Sequence, residues 1–168
     1  MQKTKMVSLD TSSTISGYAY FENGILKEHG IIDKNKEKNS LIRVEDMTIA
    51  LIEKLKKYKP DIVICETPPF MNSPKTLIML AEIVGVVKGW AISGGFAEFV
   101  EIGPTEWRRL VADPDEKIPT KRDPAKIWDI AKVKKIFNIE AIDDNEADAI
   151  LIGQARINEF AFFGKQIS

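Results

Sequence analysis

Three acidic residues, Asp10, Glu66 and Asp148, occupy positions in this sequence where strands or helices can deliver side chains to a common edge. Asp10 and Glu66 each follow a short apolar run of the kind that forms a buried strand. Asp144 and Asp148 are four positions apart, a spacing that puts two side chains on one face of a helix. Carboxylate oxygens are the ligands that hard cations such as Mg²⁺ and Mn²⁺ prefer. The three acids therefore predict a divalent-metal site.

A site of this kind can hydrolyse a phosphodiester. Two divalent ions about 4 Å apart activate a water and stabilise the leaving oxygen. Clustered carboxylates repel one another, so their convergence favours a bound cation. Taken singly, each acid has a structural explanation, since Asp10 could begin a turn and Asp144 could cap a helix. The combination of these acids with the order of the strands is what favours the metal site.

The predicted elements explain how the acids would meet. Three strands are predicted as an antiparallel meander with a tight turn at Asn23-Gly24, at Met6–Leu9, Gly17–Phe21 and Ile25–Ile32. The other predicted elements are a helix capped by Ser40, a strand at Asp61–Cys65, a helix opened by Ser73 and Pro74, a strand at Ala97–Ile102, and helices beginning at Pro104, Asp123 and Asp143-Asp144.

This order predicts an α/β fold. A mixed five-stranded sheet would combine the antiparallel three-strand meander with two parallel strands, and helices would cover both faces. The fourth strand should lie beside the first, which would place Glu66 next to Asp10. The chain has 168 residues, of which 44% are hydrophobic and 29% charged, and this suits a single globular domain spanning residues 1–168.

The sequence also bears on the compartment of the protein. The most apolar segment, Leu77–Val100, contains Glu82 and Lys88, and it predicts a buried helix followed by a strand rather than a membrane span. Nothing near the N-terminus resembles a signal peptide. The lone cysteine, Cys65, cannot form an internal disulfide and is predicted to pack in the core. We therefore expect a cytoplasmic protein that has no membrane association.

The charges are unevenly distributed, although the net charge is only −1. Residues 34–59 include eight basic and four acidic residues, and residues 104–135 include nine basic and six acidic ones. Residues 140–148 include five acids and no base. Basic flanks around an acidic focus suit an enzyme that grips phosphates and holds cations. Lysines that merely solvate helix faces would give the same counts.

The acids lie in motifs that resemble a known family. The stretch Leu9–Tyr18 places an aspartate before a small-residue turn and a Ser-Gly-Tyr element, and it resembles the opening motif of RuvC-type Holliday-junction resolvases. Asp61–Lys75 is similar to their second motif, and Asp143–Ile150, reading DDNEADAI, is similar to their last. The three motifs occur in order and span nearly the whole chain. The small size and near-neutral charge would suit a phage-type member.

The resemblance implies a ribonuclease H-like fold, a homodimer, and magnesium-dependent paired nicking of four-way DNA junctions, with Mn²⁺ as an alternative ion. By motif position, Asp10, Glu66 and Asp148 would be metal ligands and catalytic residues. The family's fourth ligand usually lies three residues before the final aspartate, where this chain has Asn145. Because asparagine is a weaker ligand, we expect Asp144 to take the fourth place.

The resemblance also implies nucleic-acid contacts around the acids. Phe70 lies near the position of a family aromatic that stacks on bases at the junction. A phenylalanine after two prolines is also poorly placed for core burial, and packing under its own loop is the alternative. Basic residues would contact the DNA backbone, and one of them could stabilise charge on the scissile phosphate. The predicted contacts are Ser13, Phe70, Lys75, Lys117, Lys121, Arg122 and Lys126.

Four further residues have less specific predictions. Trp107 and Trp128 stand at helical positions that predict core packing. Gly85 and Gly89 form a small-xxx-small pair, which would serve either a dimer interface or an internal contact between helix and sheet.

Two other functions remain open at this point. A ribonuclease of the same fold could act on RNA or an RNA–DNA hybrid. A junction-binding protein with impaired catalysis is the other, because Asn145 stands where a carboxylate is expected. A sugar-kinase or actin-like ATPase would share the Asp10 motif, but it needs a duplicated domain and a glycine-rich phosphate loop, which this sequence lacks.

Overall fold

The computed structural model describes residues 4–68, 73–140 and 143–166. Its strands are β1 (Lys5–Asp10), β2 (Ile15–Glu22), β3 (Ile25–Asp33), β4 (Ile62–Glu66) and β5 (Glu98–Ile102). Its helices are α1 (Ser40–Tyr58), α2 (Pro74–Gly89), α3 (Pro104–Val111), α4 (Arg122–Phe137) and α5 (Asp144–Gln166), and a π-helical turn, Trp90–Gly94, continues α2.

The five strands form one mixed sheet in the order β3-β2-β1-β4-β5. β1, β2 and β3 pair in antiparallel fashion, whereas β4 runs parallel to β1 and to β5. Leu9 pairs with Cys65 across β1 and β4. The next residues, Asp10 and Glu66, are the last of their strands and therefore lie side by side at the edge of the sheet. The predicted fold class is confirmed, and β4 lies beside β1 as the sequence predicts.

The turn between β2 and β3 is the one that the sequence predicts. Asn23 has φ 51° and Gly24 has φ 77°. Two successive positive φ values belong to the primed turns whose twist matches that of the flanking strands, and asparagine and glycine tolerate them best.

Helices cover both faces of the sheet, and each face has its own core. On one face, α1 and α2 pack over alternating strand residues, and this core includes Val7, Leu9, Tyr18, Tyr20, Met47, Leu51, Leu55, Ile83 and Val87. On the other face, α5 crosses the sheet and α3 and α4 pack beside it; this core includes Ala19, Phe21, Ile62, Ile64, Trp107, Val133, Ile150, Leu151 and Ile152. The period-two pattern of the strands sends neighbouring side chains to opposite cores.

α5 lies directly on the sheet because small residues line the contact. A Cβ atom added at Gly17 would collide with the backbone carbonyl of Asn145, and one added at Gly153 would collide with the ring of Phe21 and lie 2.7 Å from Ser8 Oγ. Ser8 Oγ donates a hydrogen bond of 2.6 Å to the carbonyl of Ala149. This close approach brings the first turns of α5 to the edge where β1 and β4 end.

The structure corrects two predictions. α1 is capped by Asn39 rather than by Ser40. The Asn39 side chain accepts hydrogen bonds from the backbone N–H groups of Leu41 and Ile42, while Ser40 is already helical. The apolar stretch Pro74–Gly94 is helical but not a buried helix, since only 33% of its most apolar window is buried. By length and composition alone it is the one helix among the described residues that could cross a membrane, which is weak evidence for a span.

The contact between α5 and the sheet can be tested at Gly153. Alanine normally stabilises a helix interior relative to glycine by about 1 kcal/mol. Gly153→Ala should instead lower the free energy of unfolding by about 1–3 kcal/mol, because the added methyl group overpacks the contact with Phe21 and Ser8. Urea denaturation would measure the change. Gln154→Ala, on the neighbouring half-buried position, is the matched control and should change stability by less than about 0.5 kcal/mol. A stabilising Gly153→Ala would contradict the close approach.

Candidate active site

The four predicted acids line one cleft at the carboxyl edge of the parallel strands. Asp10 ends β1, Glu66 ends β4, and Asp144 and Asp148 lie in the first two turns of α5. The cleft has a volume of about 660 Å³. Asn145 lines it as well. The structure therefore brings together all the acids that the sequence proposes as a site.

Burial and mutual repulsion disfavour the charged forms of these acids. Burial raises the pKa of Asp10, and the negative charge of Glu66 raises it further. Burial also raises the pKa of Asp148, with the charge of Asp10 as the next cause. The pKa of Glu66 is raised by burial as well, against the hydrogen bond from Trp107. The ionised forms of these three acids are thus disfavoured in the cleft, and a bound cation would stabilise them.

Trp107 fixes the position of Glu66. The side chain is fully buried in α3, which confirms its predicted place in the core. Its indole Nε1 also donates a hydrogen bond of 2.8 Å to Glu66 Oε2. Buried tryptophan requires a partner for this N–H, and the carboxylate supplies it. The sequence predicted the burial of Trp107 but not its contact with the site. Trp128, by contrast, is only partly buried, and its Nε1 donates to Glu116 Oε1.

Arg108 is the main residue of the cleft that the sequence analysis missed. Its guanidinium Nη2 lies 4.0 Å from Asp148 Oδ2 and donates a hydrogen bond of 2.7 Å to Asp129 Oδ2. Its neighbour Arg109 is exposed and also lines the cleft. A signal was present: α3 directly follows β5, so its first residues must lie at the same edge as the ends of the other parallel strands.

Neither candidate for the fourth metal ligand is free of protein partners. Asp144 forms an ion pair with Lys126 of α4. The side-chain amide of Asn145 donates a hydrogen bond of 2.8 Å to Asp143 Oδ1, which also accepts the backbone N–H of Asn145 and so caps α5. Asp144 stays the predicted ligand, and it would have to share its carboxylate between Lys126 and a metal ion.

The donor set suits a hard divalent cation. It consists of oxygen atoms only, and Oδ1 of Asp148 is buried without a hydrogen-bond partner. Within residues 4–68, 73–140 and 143–166, however, no three histidine, cysteine, aspartate or glutamate side chains are already arranged as the ligands of one ion.

The predicted basic contacts divide into two groups. Arg122 and Lys126 line the cleft with the acids. Lys117 and Lys121 are exposed in the segment between α3 and α4, and Lys75 is exposed in the first turn of α2.

The two uncharged predicted contacts have different outcomes. Ser13 is buried, and it is the neighbouring Ser12 that lines the cleft. Phe70 lies outside the described residues, so its predicted stacking role stays a prediction.

The raised pKa of Asp148 predicts a pH dependence of stability. A carboxyl whose pKa is higher in the folded than in the unfolded protein stabilises the fold at low pH, and this contribution is lost as the pH rises above the unfolded value of about 3.9. In chelator-treated protein at pH 7, Asp148→Asn should therefore raise the free energy of unfolding by about 1–3 kcal/mol and flatten its decline with pH. Urea denaturation between pH 4 and pH 8 would measure both.

Asp113→Asn provides a control of opposite sign. Hydrogen bonds from Lys132 and Lys135 lower the pKa of Asp113, so its charged form stabilises the fold at neutral pH. Its replacement should reduce stability at pH 7. If Asp148→Asn also reduced stability at pH 7, the folded protein would not disfavour the ionised form of Asp148.

Comparisons with known proteins support the fold at low sequence identity. No family model and no curated protein matches this sequence. Among solved structures, Thermus thermophilus RuvC bound to a Holliday-junction substrate superposes with a TM-score of 0.72 at 15% identity, covering 96% of this chain and 97% of that one. The Fowlpox virus resolvase, bound to Holliday-junction DNA, has a TM-score of 0.62 at 18% identity, covering 94% and 99%.

A third similar structure comes from a eukaryotic organelle. The yeast mitochondrial Holliday-junction resolvase Ydc2 has a TM-score of 0.65 at 14% identity, covering 98% of this chain and 85% of that one. In each case the match extends over nearly the whole of this chain rather than over a shared half. The chain therefore has the ribonuclease H-like α/β fold of the RuvC-type resolvases.

Proposed function

We propose that this protein is a divalent-metal-dependent endonuclease that resolves four-way DNA junctions by paired nicks. The observation that carries the proposal is the convergence of Asp10, Glu66, Asp144 and Asp148 in one open cleft beside arginine side chains. The proteins of similar fold whose structures contain Holliday-junction DNA make a branched DNA the first substrate to test.

The residues of the cleft would have different roles in phosphodiester hydrolysis. Asp10, Glu66 and Asp148 would hold the metal, with Asp144 as the fourth ligand. The bound ions would supply Lewis-acid stabilisation and an activated water. Trp107 holds the Glu66 carboxylate by a hydrogen bond, so that this ligand is oriented before metal arrives.

Cations around the acids suit a phosphate backbone. Arg108, Arg109, Arg122 and Lys126 line the same cleft as the carboxylates. Arginine makes two-point contacts with phosphate oxygens and keeps its charge at every physiological pH. Arg108 lies deepest among them, with 16% of its side chain exposed, and is the candidate for stabilising charge on the scissile phosphate. A protein of net charge −1 could bind DNA in this way because these four cations lie directly beside the acids.

The environment of the fourth ligand favours one alternative function, a junction-binding protein with weak catalysis. Asp144 is paired with Lys126, and Asn145 contributes an amide rather than a carboxylate. If the metal cannot displace Lys126, the cleft would hold three carboxylate ligands instead of four. Cleavage measured beside junction binding distinguishes this alternative from the endonuclease.

We further propose that the protein acts as a homodimer through the exposed face of α2. Ile78, Val86 and Ile92 are more than half exposed on this helix and its π-helical continuation. Gly85 and Gly89 are exposed too, and a Cβ atom at either would meet nothing within 4 Å. The structure shows no internal contact at these two glycines, and their exposed surface offers room for the other alternative, close packing against a second chain. Two symmetric nicks need two clefts, and each chain contributes one of the kind described above.

Removal of one carboxylate should separate catalysis from binding. Asp10→Asn keeps the size of the side chain but removes a charged metal ligand, so Mg²⁺-dependent cutting of a synthetic four-way junction should be abolished while junction affinity changes by less than about threefold. Gel assays of cleavage and of binding in Ca²⁺ would measure the two. Linear DNA duplex and an RNA–DNA hybrid are the comparison substrates.

Each outcome of that assay has a distinct meaning. Symmetric nicks in the junction alone support the proposed function. Cutting of the hybrid alone would replace it with a ribonuclease of the same fold. Junction binding without cutting by the unmodified protein would favour the impaired-site alternative. Loss of binding together with cutting in Asp10→Asn would mean that Asp10 is needed for structure.

The proposed dimer predicts a change of mass when charge is placed on α2. Val86→Glu puts a carboxylate in the middle of the apolar face and should convert a dimer to a monomer in sedimentation experiments at micromolar concentration. Ile136→Glu, at a partly exposed position on α4, is the matched control and should leave the dimer intact. A monomeric unmodified protein, or dissociation by Ile136→Glu alone, would refute this interface.

A further inference from the structure

We infer that Asp129 is a positioning residue, which holds the Arg108 guanidinium in the cleft and keeps it from closing onto Asp148. The inference rests on the proposed function, because it concerns how the same carboxylate cleft stays open to a metal ion and a phosphate.

Asp129 meets Arg108 in a two-point contact. The Asp129 side chain is fully buried on α4. Nε of Arg108 donates to Oδ1 at 3.0 Å, and Nη2 donates to Oδ2 at 2.7 Å. This parallel arrangement is the one in which a guanidinium and a carboxylate match best. Because an unpaired buried charge is costly, the two groups are strongly bound to each other.

A second acid lies within reach of the same guanidinium. Nη2 of Arg108 is 4.0 Å from Oδ2 of Asp148, which is farther than a hydrogen bond. Oδ1 of Asp148 is buried and has no hydrogen-bond partner. Arg108 could therefore donate to Asp148, but it donates to Asp129 instead.

The ring of Trp107 gives Arg108 a further restraint. The guanidinium carbon lies 4.2 Å from the centroid of this ring, so the planar cation rests against an aromatic surface. The same tryptophan donates its N–H to Glu66. Two neighbouring residues of α3 are therefore each committed to a carboxylate, one inside the proposed ligand set and one outside it.

The position of the second carboxylate decides what Arg108 does in the cleft. Without the Asp129 carboxylate, Asp148 would be the acidic side chain that remains 4.0 Å from Nη2. A shift of about 1 Å would bring the two into direct contact, where the guanidinium stabilises the charged form of Asp148. A protein cation would then occupy the carboxylate that the metal needs. With Asp129 charged, Nε and Nη2 are engaged away from the ligands. Nη1 takes no part in that contact and is left available to a phosphate oxygen.

Direct measurement of metal binding tests this inference without any nuclease assay. Titration of Mn²⁺, followed by the electron paramagnetic resonance signal of the free ion, would compare the unmodified protein with Asp129→Asn, Arg108→Gln and the double variant. Asp129→Asn should weaken Mn²⁺ binding roughly tenfold, because Arg108 moves onto Asp148. In the Arg108→Gln background the same substitution should have no effect, since no cation is left to move.

The double variant separates positioning from general damage. Equal weakening by Asp129→Asn in both backgrounds would overturn the inference, because the effect would not pass through Arg108. Unchanged Mn²⁺ binding in Asp129→Asn would overturn it as well. Junction cleavage by a protein in which Asp129→Asn acts equally in both backgrounds would leave the proposed function standing. Mn²⁺ binding with the expected pattern but no cleavage of any substrate would support the role of Asp129 and contradict the proposed endonuclease.

A second measurement needs no substitution at Asp129, so it applies even where Asp129→Asn does not fold. In the unmodified protein, the Nε–H resonance of Arg108, assigned by its loss in Arg108→Gln, should exchange slowly with water. It should keep its chemical shift when Mg²⁺ is added, because Asp129 retains the bond. Fast exchange, or a large shift on metal addition, would show that Asp129 does not hold the guanidinium.

Discussion

The close packing of α5 against the sheet is the constraint on which the candidate site depends. Asp148 belongs to a helix and Asp10 to a strand, and the two can share a cleft only where helix and sheet backbones nearly touch. Gly17 and Gly153 permit that approach, since a methyl group at either would collide with the opposite element. The hydrogen bond from Ser8 to the Ala149 carbonyl ties the buried middle of β1 to the same helix. Small residues that do not belong to the acidic site thereby set the geometry of the cleft.

That packing creates an electrostatic cost, which the surrounding helices partly offset. Asp10, Glu66 and Asp148 are brought together away from water, where burial and like charge raise the pKa of each. α3 and α4 supply the opposing cations, Arg108 and Lys126. The compensation is incomplete, because Arg108 is bonded to Asp129 and not to the cleft acids. A site whose acids are disfavoured in their ionised form until a cation neutralises them is suited to take up a divalent ion.

The same arrangement places cations beside the acids although the net charge of the chain is −1. The fold places acids at the ends of β1 and β4 and at the start of α5, and it places arginines on the bordering helices α3 and α4. The exposed apolar residues Ile78, Val86 and Ile92, on α2 and its π-helical continuation, lie outside the core, and none of them lines the cleft. The surface is thus divided into an acidic centre, a basic border and a separate apolar face.

The sequence by itself determined the sheet and the position of the acids within it. Apolar runs that end abruptly in Asp10 and Glu66, together with the Asn23-Gly24 turn, specify strand order because side-chain alternation and turn chemistry are local properties. The acids of α5 followed from helical spacing. Local signals of this kind are readable without knowledge of the rest of the chain.

Only the tertiary structure decided which groups are partners. Arg108 and Asp129 lie 21 positions apart on different helices, and no local pattern specifies that they meet. The cap of α1 depended on the backbone angles of Asn39, since both Asn39 and Ser40 are suitable capping types. The apolar residues of α2 were expected to be buried, yet composition does not distinguish a face covered by the chain's own sheet from one left exposed. Partner choice and burial depend on where distant segments are placed, and that placement is a property of the whole fold.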